Sequence, residues 1–229
     1  MDLGLTPELL RAGLILYILL FASLILRAFA QAWLADRFGD PTPRDEGRVT
    51  LYPLPHVDLL GTVVLPLICI FYLQPQMARS NITFFLAWTT PVPINESNFR
   101  NPGREYLLTQ FAGFGMSFLL ALFAAVAGGL FYHVEPRTAE IFGSIIALNA
   151  MLMVLDFLPV PPLPGGLLLR HWGWISEGTY WAIARWSGLA LMIAFNIPVT
   201  RWIIGVLVAL VQIPFVQVFG MLARVGGGI

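Results

Sequence analysis

Three histidines, one cysteine and thirteen carboxylates are the side chains from which a catalytic or metal-binding site would have to be assembled. His56, His133 and His171 fall in three separated stretches, without the short spacing that lets one element present two metal ligands. Cys69 stands among Leu67, Ile68, Ile70 and Phe71, the setting of a small buried hydrophobe rather than of a nucleophile. Serines and threonines are scattered without a histidine and acid to activate them, so a triad is not suggested. No glycine-rich phosphate loop occurs, and Gly226-Gly227-Gly228 reads as a terminal tail. What remains is a polar pair in an apolar run. Arg27 and Gln31 are four residues apart, hence on one face of a helix. Asp156 lies near the end of another apolar run. A charge inside a membrane span costs at least about 2.5 kcal/mol unless it pairs or snorkels. Two arrangements satisfy that cost. In one, Arg27 pairs with Asp156 and bonds Gln31, with Asp58 as another carboxylate within the choice. In the other, Arg27 reaches an interface and Asp156 sits near water.

The elements that must hold these residues follow from composition. With 58% hydrophobic and 11% charged residues and a mean hydropathy of +0.77, a chain of 229 residues has more apolar surface than a soluble core can bury. It reads as an integral membrane protein. Thirteen Lys and Arg balance thirteen Asp and Glu without a basic cluster, which excludes nucleic acid as a partner. The first apolar stretch lacks a basic start and a small-residue cleavage site, so it is expected to stay in the mature protein rather than act as a signal peptide.

A first span is expected over about Leu9 to Leu34, closed by Asp36, Arg37, Gly39, Asp40, Pro41 and Pro43. Val49, Thr50, Leu51 and Tyr52 favour a short extended segment, with a hairpin or edge strand as one form. Leu59 to Leu73, short and containing Gly61 and Pro66, suits a re-entrant or short helix, and Ile82 to Thr90 is another short apolar run. Asn81-Ile82-Thr83 is formally a glycosylation acceptor abutting that run. Tyr106 to Tyr132 and Ala139 to Leu158 are full spans, the first offering Gly113, Gly115 and Ser117 for close helix contact. Pro159 to Gly166 must break the helix. Later spans run over about Tyr180 to Phe195 and Trp202 to Gly220, giving at least four spans and five or six on the fuller count. Trp172, Trp174, Trp181, Trp186 and Trp202 are placed as headgroup anchors. The scattered arginines leave the orientation unassigned.

Four stretches in order carry a resemblance. These are Gly39-Asp40-Pro41-Thr42, then Gly47 through Asp58 with Gly61-Thr62, then Pro91 to Asn95 with Asn98 to Pro102, and Ala112-Gly113 followed by Leu158 to Leu163 with Gly165-Gly166. From about Ile25 to Leu169 the chain resembles the site-2 protease family, in its compact prokaryotic branch of intramembrane zinc metalloproteases without a PDZ domain. The resemblance implies an all-α polytopic membrane protein of the prokaryotic cell (inner) membrane. It is expected as a single membrane domain, 1–229, with a site-2-protease-like core at 9–169 and additional helices at 170–229. Broken or re-entrant segments and a short extended segment after the first helix belong to that expectation.

In that family HExxH supplies two zinc-binding histidines and a general base, and a Leu-Asp-Gly aspartate supplies a further ligand. The matching residues here are Arg27-Ala28-Phe29-Ala30-Gln31 and Pro164. Guanidinium, methyl and pyrrolidine groups offer no lone pair to a metal and a glutamine amide offers a poor one, so the resemblance implies a pseudoprotease with neither metal nor cofactor. Arg27 would then replace the metal's charge, joined by Gln31, Asp156 and Asp58 in the former cavity. His56 matches a histidine found beside the zinc ligands in active relatives, and His56 with Asp58 is expected to organise the loop as a hydrogen-bonded pair. Phe114 and Ser117 replace the proline and asparagine usual in the facing helix, Phe114 either plugging the cavity or facing lipid. The expected partners are other transmembrane proteins or helices of a multisubunit membrane complex, together with bilayer lipid. Two alternatives stay open: an active protease with a displaced zinc site, and a conduit for a small molecule or ion.

Overall fold

Proline opens four of the helices, at Pro7, Pro102, Pro164 and Pro198. In a computed structural model describing residues 6–73, 87–134 and 138–226, α1 (Pro7–Arg37) begins with Thr6 accepting the amide of Leu9 at 3.2 Å. Pro7 stands in the first turn, where a missing N–H costs least, and Glu8 complements the helix dipole. At the other end Gly39, at φ +106°, turns the chain so that the Asp40 amide reaches back to Ala35 O at 3.1 Å. A single helical turn, α2 (Thr42–Asp45), follows.

Among the described residues no strand forms, and Val49 to Leu51 make bends where an extended segment over Val49 to Tyr52 is expected. The reason is local. Thr50 Oγ1 accepts the Tyr52 amide at 3.1 Å and Thr50 O accepts from the His56 ring at 2.9 Å, so the backbone is occupied by side-chain turns rather than by a ladder. After a 3₁₀ turn at Leu54–His56, the apolar run to Leu73 is helical and short. Wide π turns at Leu59–Val64 and Cys69–Leu73 flank one α turn, α3 (Leu65–Ile68), with Pro66 in its first turn. The run Ile82 to Thr90 is described only from Ala87, and Asn81-Ile82-Thr83 and most of the Gly226-Gly227-Gly228 tail lie outside the described residues.

α4 (Pro102–Gln110) and α5 (Ala112–Phe131) together form one long apolar stretch interrupted at Phe111, followed by α6 (Thr138–Phe157). The proline-rich break is shorter than expected. Pro164, Gly165 and Gly166 already belong to α7 (Pro164–His171), because proline at a helix start needs no amide partner. The Pro161-Pro162 bond is cis. α8 (Glu177–Ala194) and α9 (Pro198–Gly226), with Pro214 inside it, complete the chain. Among the described residues four helices are long and apolar enough to cross a membrane: Pro7–Arg37, Pro102–Phe131, Ala139–Phe157 and Pro198–Val225. The protein is an all-α polytopic membrane protein.

The chain forms two compact units, Met1–Gly113 with Leu189–Phe195, and Phe114–Gly188 with Asn196–Ile229. In the first, Gly13 of α1 lets the ring of Phe71 lie directly on the helix backbone. In the second, Ala121, Ala124 and Ala125 of α5 meet Ile146, Ala150 and Met153 of α6 and Phe215 of α9 in a tightly packed core. α5 and α9 run parallel: Phe118 meets Phe215 edge-on at 5.4 Å, Gly129 faces Leu222, and the His133 ring bonds Ala223 O.

Candidate functional site

Two polar centres lie in the first unit, one within the helices and one in the loops beyond α1. In the first centre, Arg27 Nη1 donates to the backbone carbonyl of Gly113 at 3.0 Å. Gly113 is what allows it, since a Cβ there would stand 3.2 Å from Nη2 and 3.3 Å from Cζ. One turn further along α1, Gln31 Nε2 donates to Gln110 Oε1 at 2.9 Å. The expected Arg27–Gln31 bond is therefore replaced: both polar ends reach across to the α4–α5 junction instead of to each other. Ala28, between them, is buried.

The second centre is Asp40. It is fully enclosed and accepts Thr42 N (3.2 Å), Thr42 Oγ1 (2.6 Å), Asn98 Nδ2 (2.8 Å) and Asn95 N (2.7 Å). Burial pushes its carboxyl up, but these hydrogen bonds outweigh it and hold the group below the ordinary carboxylate range. One ionised side chain thus ties α2 to the loop that precedes α4. No sequence argument assigned Asp40, Asn95 or Asn98 this role; their signal was an acid and two amides in turn-rich stretches 55 and more residues apart.

His56 and Asp58 do not bond each other, contrary to expectation. His56 Nε2 must carry its proton, because the partner Thr50 O at 2.9 Å can only accept. Nδ1 is buried and has no partner among the described residues. Asp58 caps the next turn, accepting Gly61 N at 2.6 Å, while its own amide donates to Thr62 Oγ1 at 3.0 Å. Each side chain has a nearer backbone partner than the other. Thr62, part of one of the stretches that carry the resemblance, donates onward to Trp88 O at 2.8 Å, and the Trp88 indole lies on Gly61.

In the second unit Phe114 packs against the α5–α6–α9 core and meets Phe157 edge-on at 5.0 Å. Ser117 and Asp156 are buried, Asp156 one residue before the end of α6. Pro164 opens α7, and the two glycines after it lie against backbone: a Cβ on Gly165 would stand 2.5 Å from Leu158 O, and one on Gly166 would overlap Pro161 N.

These features define a polytopic membrane protein with a polar seam inside its helices. Over 158 residues, 66% of the chain, it is 30% identical to the Bacillus subtilis (strain 168) protein named "Putative zinc metalloprotease YwhC". The match spans 65% of that relative's length. No family profile matches the chain, and no solved structure does. Arg27 donates to the Gly113 carbonyl, the Gln31 amide is engaged by Gln110, and neither Ala28 nor Pro164 carries a side-chain donor atom. Among the described residues no three His, Cys, Asp or Glu side chains come together as a metal set.

Proposed function

We propose that this is a site-2-protease-like membrane protein that does not hydrolyse peptide bonds and instead binds other transmembrane segments, as a scaffold or subunit of a prokaryotic membrane complex. One observation carries the reading. At the position where the family's HExxH would place its first metal-binding histidine stands Arg27, whose guanidinium is bonded to the Gly113 carbonyl. A fixed cation there repels a second one and leaves no lone pair to bind it. The groove that presents a substrate helix to a metal in a protease would then serve for binding alone.

The similarity to a protein named as a zinc metalloprotease favours a second reading, an active protease with a displaced metal site. One preparation separates the two. The full chain, purified in detergent without chelator, is expected to hold far less than one zinc per chain, to leave a labelled transmembrane peptide intact, and to co-migrate with a membrane partner. Stoichiometric zinc together with chelator-sensitive cleavage would overturn the proposal.

A further inference from the structure

We propose that the chain crosses the membrane with the Asp40 clasp on the cytoplasmic side, and with the start of α1 and the end of α9 on the other. Along the sequence the arginines are scattered; in the fold they sort by side. In the first unit α1 and α4 are antiparallel, since Gln31 meets Gln110 while Arg27, one turn earlier in α1, meets Gly113, three positions later. The end of α1 and the start of α4 therefore share a side, and the bonds from Asn95 and Asn98 to Asp40 join the two ends of the intervening segment there. The apolar stretch Pro102–Phe131 then crosses to the opposite side. In the second unit α6 returns antiparallel to α5: Phe157 at its end meets Phe114, and Phe142 near its start lies against Gly128. α9 runs parallel to α5, with Phe215 beside Phe118 and Leu222 beside Gly129. The end of α6 and the start of α9 consequently share the side on which α4 begins.

Arginine divides unequally between the two sides, and the chain has no lysine. Around the span ends on the Asp40 side stand Arg37, Arg44, Arg48, Arg100 and Arg104, joined by Arg170 in α7 and Arg201 in the first turn of α9. Around the other ends stand Arg11 and Arg224, with Arg137 between α5 and α6 in sequence. That is seven against three. With Arg27 inside a span, Arg185 on a helix that does not span, and Arg79 outside the described residues given to the smaller group, the division is still seven against four. Two forces hold such residues inside: an inside-negative potential opposes carrying a guanidinium outward, and the anionic lipid of the cytoplasmic leaflet attracts it. Carboxylates weigh little in this balance, so Asp36, Asp45 and Glu46 beside these arginines do not cancel it. One consequence concerns the seam. Arg27 is ten residues from Arg37 and twenty from Pro7, so the Arg27 and Gln31 contacts lie toward the cytoplasmic end of α1. The orientation does not depend on the binding role proposed above; it fixes the side from which a partner would reach the loops of the clasp.

The test places one cysteine at a time in the full chain, in a Cys69→Ala background, expressed in a bacterial host. Glu46→Cys and Glu177→Cys report the Asp40 side, Val134→Cys and Val225→Cys the other, and all four positions are exposed. With a membrane-impermeant maleimide, the cysteines at 134 and 225 are expected to be labelled in intact cells, and those at 46 and 177 only once the membrane is permeabilised. The reverse pattern would refute the proposal. So would partial labelling of all four in intact cells, the mark of a chain inserted both ways. The unsubstituted chain supplies a second measurement. Trypsin, which cuts after arginine, should cleave between Arg37 and Arg104 in inside-out vesicles and leave that stretch whole in right-side-out ones, since the Arg44 side chain is well exposed. Cleavage there in right-side-out vesicles alone would equally overturn the assignment. None of these outcomes alters the zinc and cleavage measurements, so the two readings fail separately.

Discussion

Replacing Asp40 by asparagine tests how the loops beyond α1 are held. The carboxylate accepts three hydrogen bonds on Oδ1 and the Asn95 amide at 2.7 Å on Oδ2. Asparagine keeps one acceptor oxygen. Its NH₂ must then face the Asn95 N–H, donor against donor, and leaving a buried donor unmatched costs about 1–3 kcal/mol. The three remaining bonds lose their charge assistance, roughly half their strength. Together these give an expected destabilisation of about 3 kcal/mol at neutral pH. The sign of the pH dependence follows from the depressed carboxyl. An acid with a lowered folded value stabilises in full above its unfolded value, about pH 4, and loses that contribution as pH falls through the folded value. The gap between parent and Asp40→Asn should therefore be widest near neutrality and close progressively below about pH 4. Denaturant unfolding in detergent, followed by tryptophan fluorescence at a series of pH values, measures it. A variant as stable as the parent at pH 7, or a gap that widens in acid, would refute the assignment of Asp40 as the ionised clasp.

Gly166→Ala places a methyl against the Pro161 backbone, which no side-chain rotation relieves, and should cost about 3 kcal/mol at the upper end of overpacking; Gly143→Ala, where nothing lies within 4 Å, is the matched control in the same unfolding assay. Gly113→Ala should cost less, about 1 kcal/mol, because the neighbour that must give way is the end of the Arg27 side chain. A double-mutant cycle on Gln31→Leu and Gln110→Leu should return a coupling of about 0.6 to 1.7 kcal/mol, with the double variant healthier than the sum of the singles predicts.

The spanning helices were legible because apolar runs and prolines carry their own signal. Pro7, Pro102, Pro164 and Pro198 mark the starts of helices, although Pro164 was read as part of a break. Val49 to Tyr52 misled in the opposite direction: their strand preference is a preference for fitting a sheet, and no described segment pairs with them. Arg27 and Gln31 could be singled out as polar residues in an apolar run, but their partners could not. A backbone carbonyl such as that of Gly113 has no sequence signature, and Gln110 lies 79 positions from Gln31. Asp40 was hidden for the same reason, its donors being two amides and a threonine whose spacing is set by the fold.

The length of α1 ties this arrangement to the thickness of the bilayer around it. Its 31 residues rise ~46 Å, about half again the hydrocarbon depth of an ordinary membrane. The surplus has to be absorbed by tilt or by protrusion at one end. Arg27 is ten residues, ~15 Å, from the terminus at Arg37, so its depth in the acyl region depends on which end protrudes and on how far the helix tilts. Its hydrogen-bonded oxygen belongs to the neighbouring helical segment and travels with it, so the cation brings part of its own solvation into a thicker membrane.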